Sequence, residues 1–275
     1  MLSLTASTQL TGYEGDNGYA RNGSGLVTAV NSTVFGPGTP ITYDAQRGSF
    51  TYSASGFLYY GMPSIGSGTL SLASGQSDAT YAVYTGASNG VSFNVRQLRM
   101  GTSNPGLPLQ FSSIALGQTS YTNTATGETL HGVVPFAFGI PFDAYRTTVT
   151  GAAVYEGLVI GNARGVGSSN VYAITGTIHL SIDYQTTAFT CYLDLSGTND
   201  RTGEKVTFSR MTITPFPPRG VLDTLGGDAG RNSRFQANFA GATAQEVMGA
   251  FENEVSDPVA PQTSIRISTA FAARK

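Results

Sequence analysis

Between Val171 and Tyr184 the chain alternates with a period of two: Ile174, Ile178, Leu180, Ile182 and Tyr184 share one phase, and Thr175, Thr177, His179, Ser181 and Asp183 the other. Successive side chains of a strand point to opposite faces, so this order fits a sheet buried on one side and does not fit a helix. Similar patterning runs through Thr150–Gly161, Phe189–Leu195, Lys205–Thr214, Arg234–Phe239 and Ser264–Phe271, with a turn at Gly197–Gly203. With the segment Gly249–Val255, this makes about eight antiparallel strands in roughly 125 residues, the size at which a sheet can close on itself and lose its edges. The expectation is an up-and-down barrel over residues 141–275. Gly165-Val166-Gly167 reads as a hairpin turn, Ala242–Met248 as one or two turns of helix, and Pro215–Gly230 as a long exposed loop, because proline cannot donate to a ladder.

Residues 1–140 read as a small, irregular β domain. A hairpin is expected at Thr39–Tyr43 and Ser49–Ser53 around Asp44-Ala45-Gln46-Arg47-Gly48, and further strands at Gly68–Ala73, Ala79–Thr85, Val91–Leu98 and Gly132–Gly139. The whole chain is thus all-β, an irregular β domain followed by an eight-stranded antiparallel barrel. Thirty-five glycines, 12 prolines and only 12% charged residues agree with a turn-rich sheet protein.

Charge and cysteine content set further bounds. A net charge of −2, from 15 Lys+Arg against 17 Asp+Glu, offers no basic field for nucleic acid. No apolar run approaches the roughly 20 residues of a spanning helix, and Met1-Leu2-Ser3-Leu4-Thr5 lacks the charged and apolar regions of an export signal. If the protein is exported, its signal has been removed or replaced. Cys191 is the single cysteine, which leaves no internal disulfide and no cysteine zinc site; its alternating strand makes it a buried structural thiol.

Catalytic patterns are missing. No Gly-x-Ser-x-Gly stands at a strand-to-helix turn, no paired carboxylates sit in a glycosidase context, and Gly165-Val166-Gly167 lacks the setting of a phosphate loop, so no enzyme is expected. His179 falls on the face opposite Ile178 and Leu180, the outer wall of a barrel. His131, after a turn in the first half, is the one histidine placed to serve as a haem or metal ligand. Phe57-Leu58-Tyr59-Tyr60-Gly61-Met62-Pro63 echoes Phe136-Ala137-Phe138-Gly139-Ile140-Pro141. Its Phe57, Tyr59, Tyr60 and Met62 are the candidates for an apolar recognition patch, against the simpler reading that these rings pack between strands.

Phe239-Ala240-Gly241-Ala242-Thr243-Ala244-Gln245-Glu246-Val247-Met248-Gly249-Ala250-Phe251 resembles the closing signature of the barrel in the transferrin-binding protein B family. Gly151–Gly157 with Gly161, then Ile174–Tyr184, is similar to that family's opening strands, Phe138–Pro141 resembles the segment leading into them, and Ile41–Ala45 with Gly48–Tyr52 resembles its preceding handle domain. The motif's small residues have mechanical uses: Gly241 turns the chain out of a strand, Ala244 and Glu246 suit a helical turn, and Gly249 re-enters the sheet beside bulky neighbours.

The resemblance implies a handle at 1–140 and a barrel at 141–275. It also implies a surface-exposed or secreted protein of a Gram-negative bacterium, kin to outer-membrane lipoproteins that include factor H binding protein and the hemophilins. No cysteine lies near Met1 to carry a lipid, so the anchor was trimmed or the protein is released without one. The expected function is capture of a protein or small ligand, in iron or haem acquisition, by a monomer without catalysis or cofactor, served by an outer-membrane translocon or a TonB-type receptor. Two alternatives stand beside it: a secreted haem carrier using His131, and a structural or adhesive β protein.

Overall fold

The structure is a computed structural model describing residues 8–24, 26–37, 41–44, 49–52, 62–63, 70–101, 103–140, 142, 149–165, 167–215, 224–229 and 232–275. Among the described residues, eighteen strands make up almost all of the regular structure, with a 3₁₀ turn at Ser74–Gln76. The first nine are β1 (Thr8–Arg21), β2 (Val27–Pro37), β3 (Ile41–Asp44), β4 (Ser49–Tyr52), β5 (Ser71–Leu72), β6 (Tyr81–Ser88), β7 (Val91–Leu98), β8 (Ser112–Thr122) and β9 (Thr129–Gly139). They form one sheet in the order β4-β3-β1-β9-β8-β7-β6-β5, with β2 also paired to β1.

The other nine are β10 (Ala152–Arg164), β11 (Val171–Asp183), β12 (Phe189–Asn199), β13 (Lys205–Thr207), β14 (Met211–Pro215), β15 (Thr224–Asp228), β16 (Arg234–Ala240), β17 (Glu246–Ser256) and β18 (Ser264–Arg274). Strand β10 pairs with both β11 and β18, and β11 with β12, which closes β10, β11, β12, β14, β15, β16, β17 and β18 into an eight-membered antiparallel ring; β13 attaches beside β12. The all-β class and the eight-stranded barrel read from the sequence are those of the structure.

Two expectations are corrected. Ala242–Met248 is not helical: Gly241 and Ala244 both have positive φ, +85° and +50°, so the chain makes a tight turn there and β17 begins directly at Glu246. Such left-handed positions end a helix rather than continue it. The loop expected to reach Gly230 is interrupted by β15, which bridges β14 and β16 and without which the ring would stay open. The first half is β-rich, as expected, and forms one broad sheet in which β1, β2 and β8 escape detection from the sequence because Gly, Asn, Ser and Thr interrupt their alternation. The hairpin is present as β3 and β4. Of Gly68–Ala73, Ser71–Leu72 is strand, and residues 64–69 lie outside the described residues.

Two cores flank the line between the sheets. One fills the barrel, and a second lies on the far face of the first sheet, around Tyr84, Phe93, Val95, Phe136 and Phe138. A third, smaller cluster joins the two sheets: Ile160, Met248, Ala270 and Ala272 on the outer face of β10, β17 and β18 meet Leu98, Ile114 and Ala137. The barrel wall is therefore apolar on both faces here, as a wall covered inside and outside must be.

Candidate binding surfaces

Among the described residues, the barrel interior is packed with large side chains. Tyr155, Tyr172, Phe235, Phe239, Phe251 and Phe271 point inward and are each at most 1% exposed, and the Phe235 and Phe271 rings stack with centroids 5.2 Å apart. Near one mouth the Tyr155 hydroxyl donates to the Ala244 carbonyl and meets the Tyr184 hydroxyl, while the Lys275 ammonium lies 5.2 Å from the Tyr184 ring. Burial pushes the Tyr155 phenol above its ordinary pKa. At the other end Asp257 is fully buried and accepts from Tyr172 Oη at 2.7 Å, Asn170 Nδ2 at 2.9 Å and Val259 N at 2.9 Å. Burial alone would raise this carboxyl, but the hydrogen bonds from Asn170, Val259 and Tyr172 outweigh it and hold the pKa below the usual range. Cys191 is 1% exposed within this interior, as its strand pattern predicts, and burial pushes its thiol up. An eight-stranded barrel is just wide enough for its own side chains, and this one has spent that space on packing.

The outer surface is polar where the first sheet does not cover it. The wall of β11, β12, β13 and β14 not covered by the first sheet exposes Thr175, Thr177, Thr190, Ser196, Thr198, Lys205, Thr207 and Thr212. His179 lies on this wall as predicted; its ring stacks on Tyr192 at 4.8 Å, and its Nδ1 is 3.6 Å from Glu156. Arg210 covers Tyr192 at 4.1 Å and holds Asp194 through Nε at 2.8 Å and Nη2 at 2.7 Å. A wall of hydroxyls and charges is unlike the apolar belt of a lipid-facing barrel.

His131 sits where the two sheets meet. It is the direct cross-strand partner of Tyr19, and their rings stack at 4.7 Å and 19°. Arg21, two residues along β1, holds Asp200 of the β12–β13 turn with Nη1 at 3.0 Å and Nη2 at 3.3 Å. The guanidinium carbons of Arg21 and of the fully buried Arg164 each lie 5.5 Å from the Tyr19 ring. Burial, reinforced by Arg21 and partly opposed by Asp200, lowers the His131 pKa, so the imidazole is neutral near pH 7. Neutral imidazole is the form that ligates a metal, yet one face of this ring is already taken by Tyr19. Among the described residues no group of three or more His, Cys, Asp or Glu is placed to hold a metal ion.

Of the aromatic candidates, Phe57, Tyr59 and Tyr60 lie outside the described residues. Met62 is half-buried against the core on the far face of the first sheet, and its sulfur accepts a hydrogen bond from Thr119 Oγ1 at 3.6 Å. The structure does not bring Met62 and His131 together: Met62 packs with the Val134 and Phe136 side of β9, and His131 is on the other face. The partners of His131 could not be found from the sequence, since Arg21 and Asp200 are 179 residues apart.

Fold and surfaces together define an all-β protein whose closed, filled barrel carries a second sheet docked on its outer wall. No protein-family model and no curated protein sequence matches the chain. In structure it is similar to transferrin-binding protein B. A double mutant of that vaccine antigen from Haemophilus parasuis Hp5 matches with a TM-score of 0.46 and 14% identity over 90% of this chain and 50% of the other. A single mutant of the same antigen gives 0.45 and 13% over 95% and 45%, and intact Ap-TbpB, with its N and C lobes, gives 0.44 and 14% over 94% and 46%. The chain spans about half the length of these solved structures.

Proposed function

We propose that this chain is a non-catalytic binding protein of the bacterial surface or the extracellular space, of the transferrin-binding protein B type, that captures a protein or small ligand on the outside of its fold. The observation that carries this reading is the filled barrel: with Phe235, Phe239, Phe251 and Phe271 packed inside, the barrel serves as a rigid support and not as a cup. Rigid supports with variable loops at their ends are a common way to present binding surfaces. The closing motif Phe239–Phe251 and the opening strands at Gly151–Gly161 support the family reading from the sequence side. A role in iron or haem acquisition, an outer-membrane location, and a translocon or TonB-type receptor as partner are parts of the same proposal.

The immobilised chain should retain a specific component of the fluids its source bacterium meets, and retention should weaken little as salt is raised, because a nearly neutral protein binds through aromatic and backbone-polar contacts. Steep loss of retention with salt would overturn that mechanism. Protease shaving of intact cells that leaves the protein untouched would overturn the surface location. A sharp Soret shift on titration with hemin, lost in His131→Ala, would replace this reading by the haem carrier.

A further inference from the structure

We propose that Tyr19, His131, Arg21 and Asp200 form a pH-sensitive latch that holds the end of the first sheet to the β12–β13 turn of the barrel while His131 is neutral and opens when it is protonated. The latch has three linked parts. Tyr19 and His131 stack across β1 and β9, and Arg21 places both terminal nitrogens on the Asp200 carboxylate. The Asp200 amide in turn donates to the Val171 carbonyl at 2.9 Å, and Val171 packs with Tyr19, Val27 and Val133. The Arg21 and Asp200 side chains are 14% and 32% exposed, so the pair is partly shielded from water and sensitive to a neighbouring charge.

Burial first, and then the charge of Arg21, make protonation of His131 costly, with Asp200 opposing them. Among the described residues, β1 contributes Tyr19 and Arg21, β10 contributes the buried Arg164 beside the same Tyr19 ring, and the β12–β13 turn contributes Asp200. Strand β8 places uncharged Ser120 opposite His131, and β11 contributes Val171. An imidazolium here adds a third cation around one tyrosine ring, with Asp200 as the facing acid already engaged by Arg21. Competition for Asp200 and repulsion from Arg21 both act against the clasp.

The sign follows from the direction of the pKa shift. His131 binds a proton less readily in the folded chain than in an unfolded one, whose value is about 6.5. Its contribution is therefore fully present above about pH 6.5 and is lost as pH falls through the lower, folded value. Carboxylates stay ionised down to about pH 5, so the interval from about pH 7.5 to about pH 5 isolates the histidines.

Hydrogen exchange of the full chain, read by mass spectrometry as protection factors, tests the latch. Peptides spanning Tyr19–Asn22 and Asn199–Gly203 should lose about tenfold or more protection between those two pH values, while peptides from β17, which holds no histidine and no part of the latch, change less than twofold. His131→Phe, which keeps a stacking ring and cannot titrate, should abolish the loss; His179→Gln, which removes the other histidine, should not. An unchanged wild type, or a His131→Phe variant that still responds, overturns the proposal. Should His131→Phe fail to fold, Asp200→Asn must reproduce at about pH 7.5 the loss that the wild type shows at about pH 5; full protection in that variant overturns the latch equally.

Discussion

Glu246 and Ser112 meet twice across the line between the sheets: Glu246 Oε2 accepts from the Ser112 amide at 2.8 Å and from its hydroxyl at 2.8 Å. The same carboxylate accepts from the amides of Phe111 at 3.0 Å and Gln110 at 2.5 Å, and Glu246 is only 3% exposed. One barrel side chain thus satisfies three consecutive backbone donors at the entry to β8. Removing it in Glu246→Ala leaves the buried Ser112 amide and hydroxyl without this acceptor, and the less buried Gln110 and Phe111 amides with only water, at about 1–3 kcal/mol, while Glu246→Gln should lose less because one oxygen remains. Urea unfolding of the two variants against wild type checks both the size and the order.

Asp257 clips the opposite end of the barrel, and its lowered pKa makes that clip dependent on acid. Its contribution is present above the unfolded carboxylate value of about 3.9 and is lost as pH falls through the folded one. The stability difference between wild type and Asp257→Asn should therefore be constant near neutrality and shrink in strong acid, as followed by thermal unfolding over pH. Tyr172→Phe removes the 2.7 Å hydrogen bond to this carboxylate and should cost about 1.5–3 kcal/mol at neutral pH.

Gly249 in β17 has no room for a methyl group: a Cβ there would lie 2.1 Å from the Gln236 carbonyl oxygen and 2.6 Å from Phe271 Cζ. Gly249→Ala must push a neighbouring strand or ring aside and should destabilise by about 1–3 kcal/mol. Gly75→Ala, with nothing within 4 Å of its added carbon, is the matched control and should stay within about 0.5 kcal/mol of wild type.

Cys191 should be chemically silent in the folded chain. Burial both shields the thiol and raises its pKa, so a disulfide reagent at about pH 8 should label it only after unfolding. Rapid stoichiometric labelling of native protein would mean that the barrel wall opens at β12.

What the sequence determined by itself is the barrel. A period of two needs only neighbours along the strand, so Ile174 to Tyr184 and the run through Cys191 announce which face is inside before any partner is known. Gly249 announces a close approach for the same local reason. Strand β15, Thr-Leu-Gly-Gly-Asp, carries no such signal and is strand because β14 and β16 on either side supply its ladder. Glu246 looked like part of a helical turn, since nothing along the chain says that Gln110, Phe111 and Ser112 will present their amides to it. The seam around His131 was decided in the same way: a histidine in a loop-rich sequence becomes the stacked partner of Tyr19, beside an arginine and an aspartate 179 residues apart in the chain. Local periodicity fixes the faces of strands, but charges and hydrogen bonds between distant segments exist only once the two sheets are packed.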